Sequence, residues 1–288
     1  MRLPRACVIA IVVSVAAAGA CSRAGGPRRP SATSVDRSPV TGLLDHGDVR
    51  LSYRFEPPPD AIAPFPAVVI GHGSGEVRKE ACRSLAANLL RRGYGVFCYD
   101  KRGVGDSTGT YASVGPINSH EVLPDLASDM AAGVRFLRAR PDVDPTRIGL
   151  AGGSQAGWII PHAAKLSRAA FMIILVGPTV TVGEEIYYSR FAEETTTPLR
   201  RLVGILPNYK GPRGFDPRPD LEEISTPGLW LLGGADRSIP TPETVAILDA
   251  LIADGKPYTR KVYPGAGHGL DGINIWPDVD DWLRRVDR

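Results

Sequence analysis

The feature that most constrains this chain is a repeated unit. An apolar run of four to six residues is followed by a segment with apolar residues at helical spacing, and the unit recurs along the sequence. Ala67-Val-Val-Ile-Gly71 leads into residues 80–92, where Leu85, Leu89 and Leu90 share a helical face. Val96-Phe-Cys-Tyr99 is followed by a long amphipathic helix over 121–139, with Val122, Leu126, Met130, Val134 and Leu137 on one side. Arg135, Arg138 and Arg140 sit at its negative C-terminal end,. Ile148-Gly-Leu-Ala151 precedes a helix over about 155–166, and Phe171-Met-Ile-Ile-Leu-Val176 is the most apolar strand. Leu229-Trp-Leu-Leu232, a helix over 242–254, a strand Tyr258–Tyr263 and a helix over 277–287 complete the series; only Leu51–Phe55 alternates like a half-exposed strand. Strands apolar on both faces, alternating with helices, predict a mostly parallel sheet covered by helices on each side.

The rhythm breaks between Pro178 and Ser225. Tyr187, Tyr188 and Phe191 cluster there, ahead of the Pro/Gly-rich Pro207–Pro217. This is more chain than a connection between neighbouring strands needs. The 178–225 segment is expected to form a small lid over the strand ends, the alternative being a surface excursion without substrate contact. Gly and Pro together, 32 and 26 of 288 residues, fall short of the fraction that marks disorder, so the composition is that of a folded globular chain. The expected organisation is a signal peptide over 1–20, a flexible tether over 21–40 and one catalytic domain over 41–288.

The front of the chain carries the export reading. Met1–Arg5 is basic, Ala6–Ser22 is uncharged, and the apolar Val8–Val15 gives way to Ala16-Ala-Ala-Gly-Ala20. The run is shorter and less apolar than a membrane span needs, and it ends in the small residues of a cleavage site. Ala18-Gly-Ala-Cys21 resembles a bacterial lipobox with Ala18 where Leu is usual, which implies a lipid on Cys21 and a membrane-anchored chain outside the cytoplasm; a cleaved secretory peptide is the alternative. The Gly-, Pro- and Ser-rich stretch that follows has too few apolar side chains to order itself. In an oxidising compartment Cys82 and Cys98 can bond, or remain two small buried thiols. Charge follows the same division. Residues 1–39 hold six arginines against Asp36, leaving the rest with 28 basic and 30 acidic side chains. The main body is faintly acidic and lacks the dense positive footprint of a nucleic-acid binder. Its only expected membrane contact is the N-terminal anchor.

Gly149-Leu-Ala-Gly-Gly-Ser154-Gln-Ala-Gly-Trp158 lies where a buried strand must turn into a helix. A nucleophilic serine needs its hydroxyl at the apex of such a turn, among neighbours small enough for the backbone to bend and the substrate to approach. His72-Gly-Ser74-Gly follows one apolar strand and Asp100-Lys-Arg-Gly-Val-Gly-Asp-Ser107 the next. Gly233-Gly-Ala-Asp236 follows another, and Pro264-Gly-Ala-Gly-His268 follows the last. Over residues 45–287 the pattern resembles the serine α/β-hydrolase superfamily, closest to bacterial esterase-like and acyl-peptidase-like members, with Ala156 where the G-x-S-x-G elbow has its final glycine.

The resemblance implies an α/β-hydrolase fold and the chain order Ser154, Asp236, His268. Ser154 would attack an acyl carbon, His268 would take and return the proton, and Asp236 would hold the imidazole. The backbone N–H groups of Gln155 and Ser74 would receive the oxyanion. Asp271 and Asp278 are alternatives to Asp236 but lie out of order. His46, His72, His120 and His162 have structural readings, His72 in shaping the oxyanion loop. Arg102 reads as a buttress within its turn. No metal or organic cofactor is expected, because the histidines are scattered and no dinucleotide or phosphate loop is present. The substrate is expected to be a small acyl compound, most simply a carboxylic ester. Amide or peptide cleavage on the same fold, and a lipid-anchored binding protein without catalysis, are the competing readings.

Overall fold

The apolar runs become the strands of an eight-stranded sheet. A computed structural model describes residues 38–60, 62–194, 198 and 202–286. The expected signal peptide, Cys21 and nearly all of the tether lie outside the described residues. The strands are β1 (Val40–His46), β2 (Val49–Glu56), β3 (Phe65–Ile70), β4 (Gly95–Tyr99), β5 (Val143–Gly153), β6 (Met172–Leu175), β7 (Gly228–Gly233) and β8 (Tyr258–Tyr263), in the order β1-β2-β4-β3-β5-β6-β7-β8. From β4 to β8 all neighbours are parallel, while β2 runs antiparallel to both β1 and β4. This is the α/β-hydrolase fold.

Period-two alternation divides each apolar run between two cores. Val69, Phe97, Leu150, Ile174 and Trp230 face one side and pack with residues of α2 (Ser119–Arg138), α3 (Ala156–Ser167) and α6 (Thr241–Ala253). Val68, Ile70, Val96, Ala151, Ile173 and Leu231 face the other, against α1 (Arg83–Leu90) and α7 (Trp276–Val286). Both faces are therefore dry, which is why these strands read as continuous apolar runs.

The β1–β2 hairpin extends the sheet beyond the strand expected at 51–55. Its two-residue turn places Gly47 at φ 60°, a left-handed conformation that fits the twist of a tight hairpin,. Within 178–225 lie α4 (Val182–Glu194), a 3-10 turn at Leu206–Asn208 and α5 (Arg218–Glu223). Val180, Tyr188, Ala192, Leu202 and Leu206 form a small core of their own. Phe215, Leu221 and Ile224 instead join the main core, so the last third of the segment belongs to the helical layer.

Strand order places the site. From β3 the chain steps outward to β4, then returns across to β5 on the other side of β3. At such a reversal the loops leaving β3 and β5 diverge and open a crevice at the carboxyl ends of the strands. Residues 71–75 and Ser154 are the two lips of that crevice.

Candidate active site

Ser154 stands between the end of β5 and the start of α3 with φ 56°. Its N–H donates to the Leu175 carbonyl at 2.9 Å, and its own carbonyl accepts from Gly157 N–H at 2.8 Å, which fixes the sharp turn. A non-glycine residue held at such a φ costs on the order of 1–3 kcal/mol. Among the described residues three others share a positive φ: Arg168 at 51°, Val176 at 44° and Leu270 at 51°. Val176 follows β6 and Leu270 lies two residues past His268, so three of the four surround one place. Small residues let the elbow close. A Cβ on Gly157 would come within 2.7 Å of Gly177, so α3 meets the loop after β6 backbone to backbone.

Asp236 and His268 arrive on the loops after β7 and β8. These loops are stitched together by Gly234 N–H to the Tyr263 carbonyl and Ala235 N–H to the Ala266 carbonyl, both 2.8 Å. His268 Nδ1 lies 2.9 Å from Asp236 Oδ2, and Nε2 lies 3.0 Å from Ser154 Oγ. The carboxylate can only accept, so Nδ1 carries the hydrogen and Nε2 is left to accept from the serine hydroxyl. Asp236 is buried, and its other oxygen accepts the Ser238 and Ile239 N–H groups at 2.7 and 2.9 Å. Three donors thus hold the carboxylate that orients the ring.

The lip at 71–75 is braced from beneath. His72 is buried, with Nε2 2.7 Å from the Tyr99 carbonyl, and burial pulls its pKa from 6.5 down to about 4. It is a neutral donor to that carbonyl. Lys101 reaches up from the loop after β4; its ammonium donates to the Gly73 carbonyl at 2.7 Å, the Gly75 carbonyl at 2.8 Å and Gln155 Oε1 at 3.1 Å. Burial draws its pKa from 10.5 down to about 8. The backbone N–H groups of Ser74 and Gln155 take no part in the turn and loop hydrogen bonds of the described residues.

A cavity of about 310 Å³ opens against Ser154 and His268. Its wall is mainly apolar, with Ile70, Val77, Leu85 and Val176, and Cys82 and Cys98 also line it. Those two cysteines form a disulfide, with Cα atoms 6.4 Å apart. The bond ties the 3-10 turn at Lys79–Cys82, which closes one side of the cavity, to β4. Beside it Lys79 Nζ pairs with Asp100 Oδ2 at 2.9 Å.

The other singled-out residues lie elsewhere. Arg102 pairs with Asp129 at 2.8 Å and with Asp125, tying its turn to α2. His46 Nε2 is 2.9 Å from Ser128 Oγ, and His162 Nδ1 is 2.7 Å from Asp220 Oδ2. The His120 ring lies 6.3 Å from that of Phe215. Asp278 accepts from the Tyr263 hydroxyl at 2.7 Å. Ser74 is exposed on its loop, and it is Gly71, His72 and Gly73 that line the cavity. Sequence reasoning passed over Lys101 and Val176. The signal for Lys101 was its place at the end of a buried strand, immediately before the arginine that drew attention.

The model of the prolyl oligopeptidase family matches residues 82–285, from the disulfide cysteine to the last helix. The chain belongs to the prolyl oligopeptidase family. This member is similar to a putative carboxymethylenebutenolidase of Methylorubrum extorquens, 27% identical over 243 residues, covering 77% of this chain and 72% of that protein. It is also similar to acylamino-acid-releasing enzyme 1 of Oryza sativa subsp. japonica, 23% identical over 223 residues, 72% of this chain but 28% of that longer enzyme. Among solved structures it superposes on an esterase of Pyrococcus furiosus with TM-score 0.66 and 19% identity, covering 88% of this chain and 92% of that one. With these relatives, this prolyl oligopeptidase family member is a hydrolase.

Proposed function

We propose that the chain is an exported serine hydrolase that cleaves a carboxylic ester or related acyl compound through an acyl-enzyme. One observation carries this reading: Asp236, His268 and Ser154 form an unbroken line of hydrogen bonds of 2.9 and 3.0 Å at the mouth of an apolar cavity. Ser154 Oγ bonds to the acyl carbon as its proton passes to His268 Nε2, and the carbonyl electrons move onto oxygen. The Ser74 and Gln155 N–H groups receive that oxyanion. As the carbonyl re-forms, the bond to the leaving alkoxide breaks and His268 returns the proton to it. Water then repeats the sequence on the acyl-enzyme and frees the acid. Asp236 holds one tautomer throughout and stabilises the imidazolium. The acyl chain is assigned to this cavity, whose wall includes the disulfide. Its volume, about 310 Å³, is at the lower end for small-molecule sites and suits a short chain.

The test compares the full chain with Ser154→Ala on p-nitrophenyl acetate and butyrate, and by fluorophosphonate labelling. Turnover should fall by about 10⁴-fold or more and labelling should vanish; labelling that survives the substitution would remove Ser154 as nucleophile. The family match favours a second reading, cleavage of amides or peptides by the same residues. Turnover of acyl-amino-acid amides faster than of either ester would select it. Export predicts that the cell-associated chain begins at Cys21 and carries lipid. Recovery of intact Met1–Arg5 at the N-terminus would overturn that part.

A further inference from the structure

A buried ammonium is expensive unless something uses its charge. The Lys101 side chain is a large, fully enclosed group at 1% relative exposure. Among the described residues no carboxylate pairs with it: the adjacent Asp100 is engaged by Lys79 at 2.9 Å, and His72 beside it is neutral. The ring of Tyr111 lies 5.8 Å from the ammonium. A methionine here would avoid the cost of dehydrating a charge. What the charge holds instead is three acceptors, one for each of its N–H donors: the carbonyls of Gly73 and Gly75 and the side chain of Gln155,.

Two of those acceptors belong to the groups assigned to the oxyanion. The Gly73 carbonyl and the Ser74 N–H are opposite ends of one planar trans peptide. Pinning the oxygen downward on Lys101 turns the N–H upward, toward the mouth of the crevice. The third acceptor is the side chain of Gln155, the residue whose backbone N–H is the second donor. One ammonium therefore ties both lips of the crevice together. We infer that Lys101 is a positioning residue for the oxyanion site, clamping the 71–75 loop to the elbow so that the Ser74 and Gln155 N–H groups converge on one point. Its positive charge also lies beneath the place where negative charge develops, in surroundings that screen it little. The inference rests on the proposed Ser154 chemistry.

The clamp acts on the tetrahedral anion rather than on the bound ester, which separates it from a plain structural role. Purified full-length wild type, Lys101→Met and Gln155→Ala are compared on p-nitrophenyl butyrate. Inhibition is measured with an alkylboronic acid, which becomes a tetrahedral anion on the serine, and with neutral butyramide. For Lys101→Met, kcat should fall about 10²–10³-fold, the loss typical of one oxyanion donor, with KM within about threefold. Boronate affinity should fall in step with kcat, and butyramide affinity should hold. Gln155→Ala, which removes one acceptor and leaves the lysine in place, should give the same pattern at about tenfold. If Lys101→Met does not fold, the Gln155→Ala pattern decides. Unchanged kcat in whichever variants fold, or equal loss of boronate and butyramide affinity, would overturn the positioning role. Absence of turnover and labelling in the wild type would instead overturn the Ser154 reading itself.

Discussion

Two regions that flank the elbow are built differently. On the side of residues 71–101 the backbone is cross-linked at every level. The Cys82–Cys98 disulfide joins the cavity wall to β4, Lys79 pairs with Asp100, His72 is fixed on the Tyr99 carbonyl, and Lys101 holds two carbonyls of the lip. On the side of the 178–225 segment, the links nearest the site are hydrogen bonds, among them those of the Arg237 guanidinium to the Ala192 carbonyl. Trp158 Nε1 donates to the Val180 carbonyl at 2.8 Å, the Tyr188 hydroxyl to the Asp236 carbonyl at 2.9 Å, and Gly204 N–H to Glu243 at 2.8 Å. Behind these three is a small separate core, while Val182, Phe215, Leu221 and Ile224 of the same segment join the main one. The difference assigns tasks. On the chemistry proposed above, the clamped side sets the shape met by the acyl group and the oxyanion, and the other side contributes chiefly through the Tyr188 hydroxyl on the Asp236 carbonyl.

Three perturbations press on that contrast. Replacing Cys82 and Cys98 with alanine reopens a loop spanning 16 residues, and closing a loop of that size stabilises by about 3 kcal/mol. Thermal melting should drop by about 6–12 °C. Butyrate esters should also lose their advantage over longer chains, since the cavity wall is no longer tied to β4. A melting point and chain-length profile like those of wild type would show that the ion pairs alone hold this side.

His72 supplies the next effect. An unfolded chain takes up a proton on this histidine near its ordinary pKa of 6.5, whereas the folded chain resists until about 4. The His72 contribution to stability should therefore fall as pH drops between these values and be level above and below them, with a full span on the order of 3 kcal/mol. Urea midpoints for His72→Asn should lose that part of the slope; identical slopes would place the acid sensitivity elsewhere. The smallest effect is expected on the side of the 178–225 segment. Tyr188→Phe removes one buried donor, costing about 1 kcal/mol, and should lower kcat only a few-fold. A larger loss of kcat than that caused by opening the disulfide would reverse the contrast drawn above.

Much of this was legible in the sequence for a plain reason: strands buried on both faces leave continuous apolar runs, and turns that present polar groups need glycine. That punctuation singled out the loops carrying Ser154, Asp236 and His268, and the structure brings the three side chains together. β1 was not legible because its side chains are exposed or half-exposed, and adjacent Leu43 and Leu44 break the alternation around Gly42. Lys101 was missed for the opposite reason. A lysine beside an arginine in a polar turn reads as a solvated charge, and only the fold-over of the 71–75 loop encloses it. Arg102, which did attract attention, points to α2 and braces its own turn.

The elbow's departure from the usual glycine pattern has one more consequence. Ala156 is fully buried, and a Cβ on Gly152 would lie 2.7 Å from its methyl group. The turn has room for a single methyl shared between these two positions. A side chain at 152 would meet the Gly71 carbonyl at 3.1 Å as well, so the methyl at 156 and the lip backbone together reserve this position for glycine.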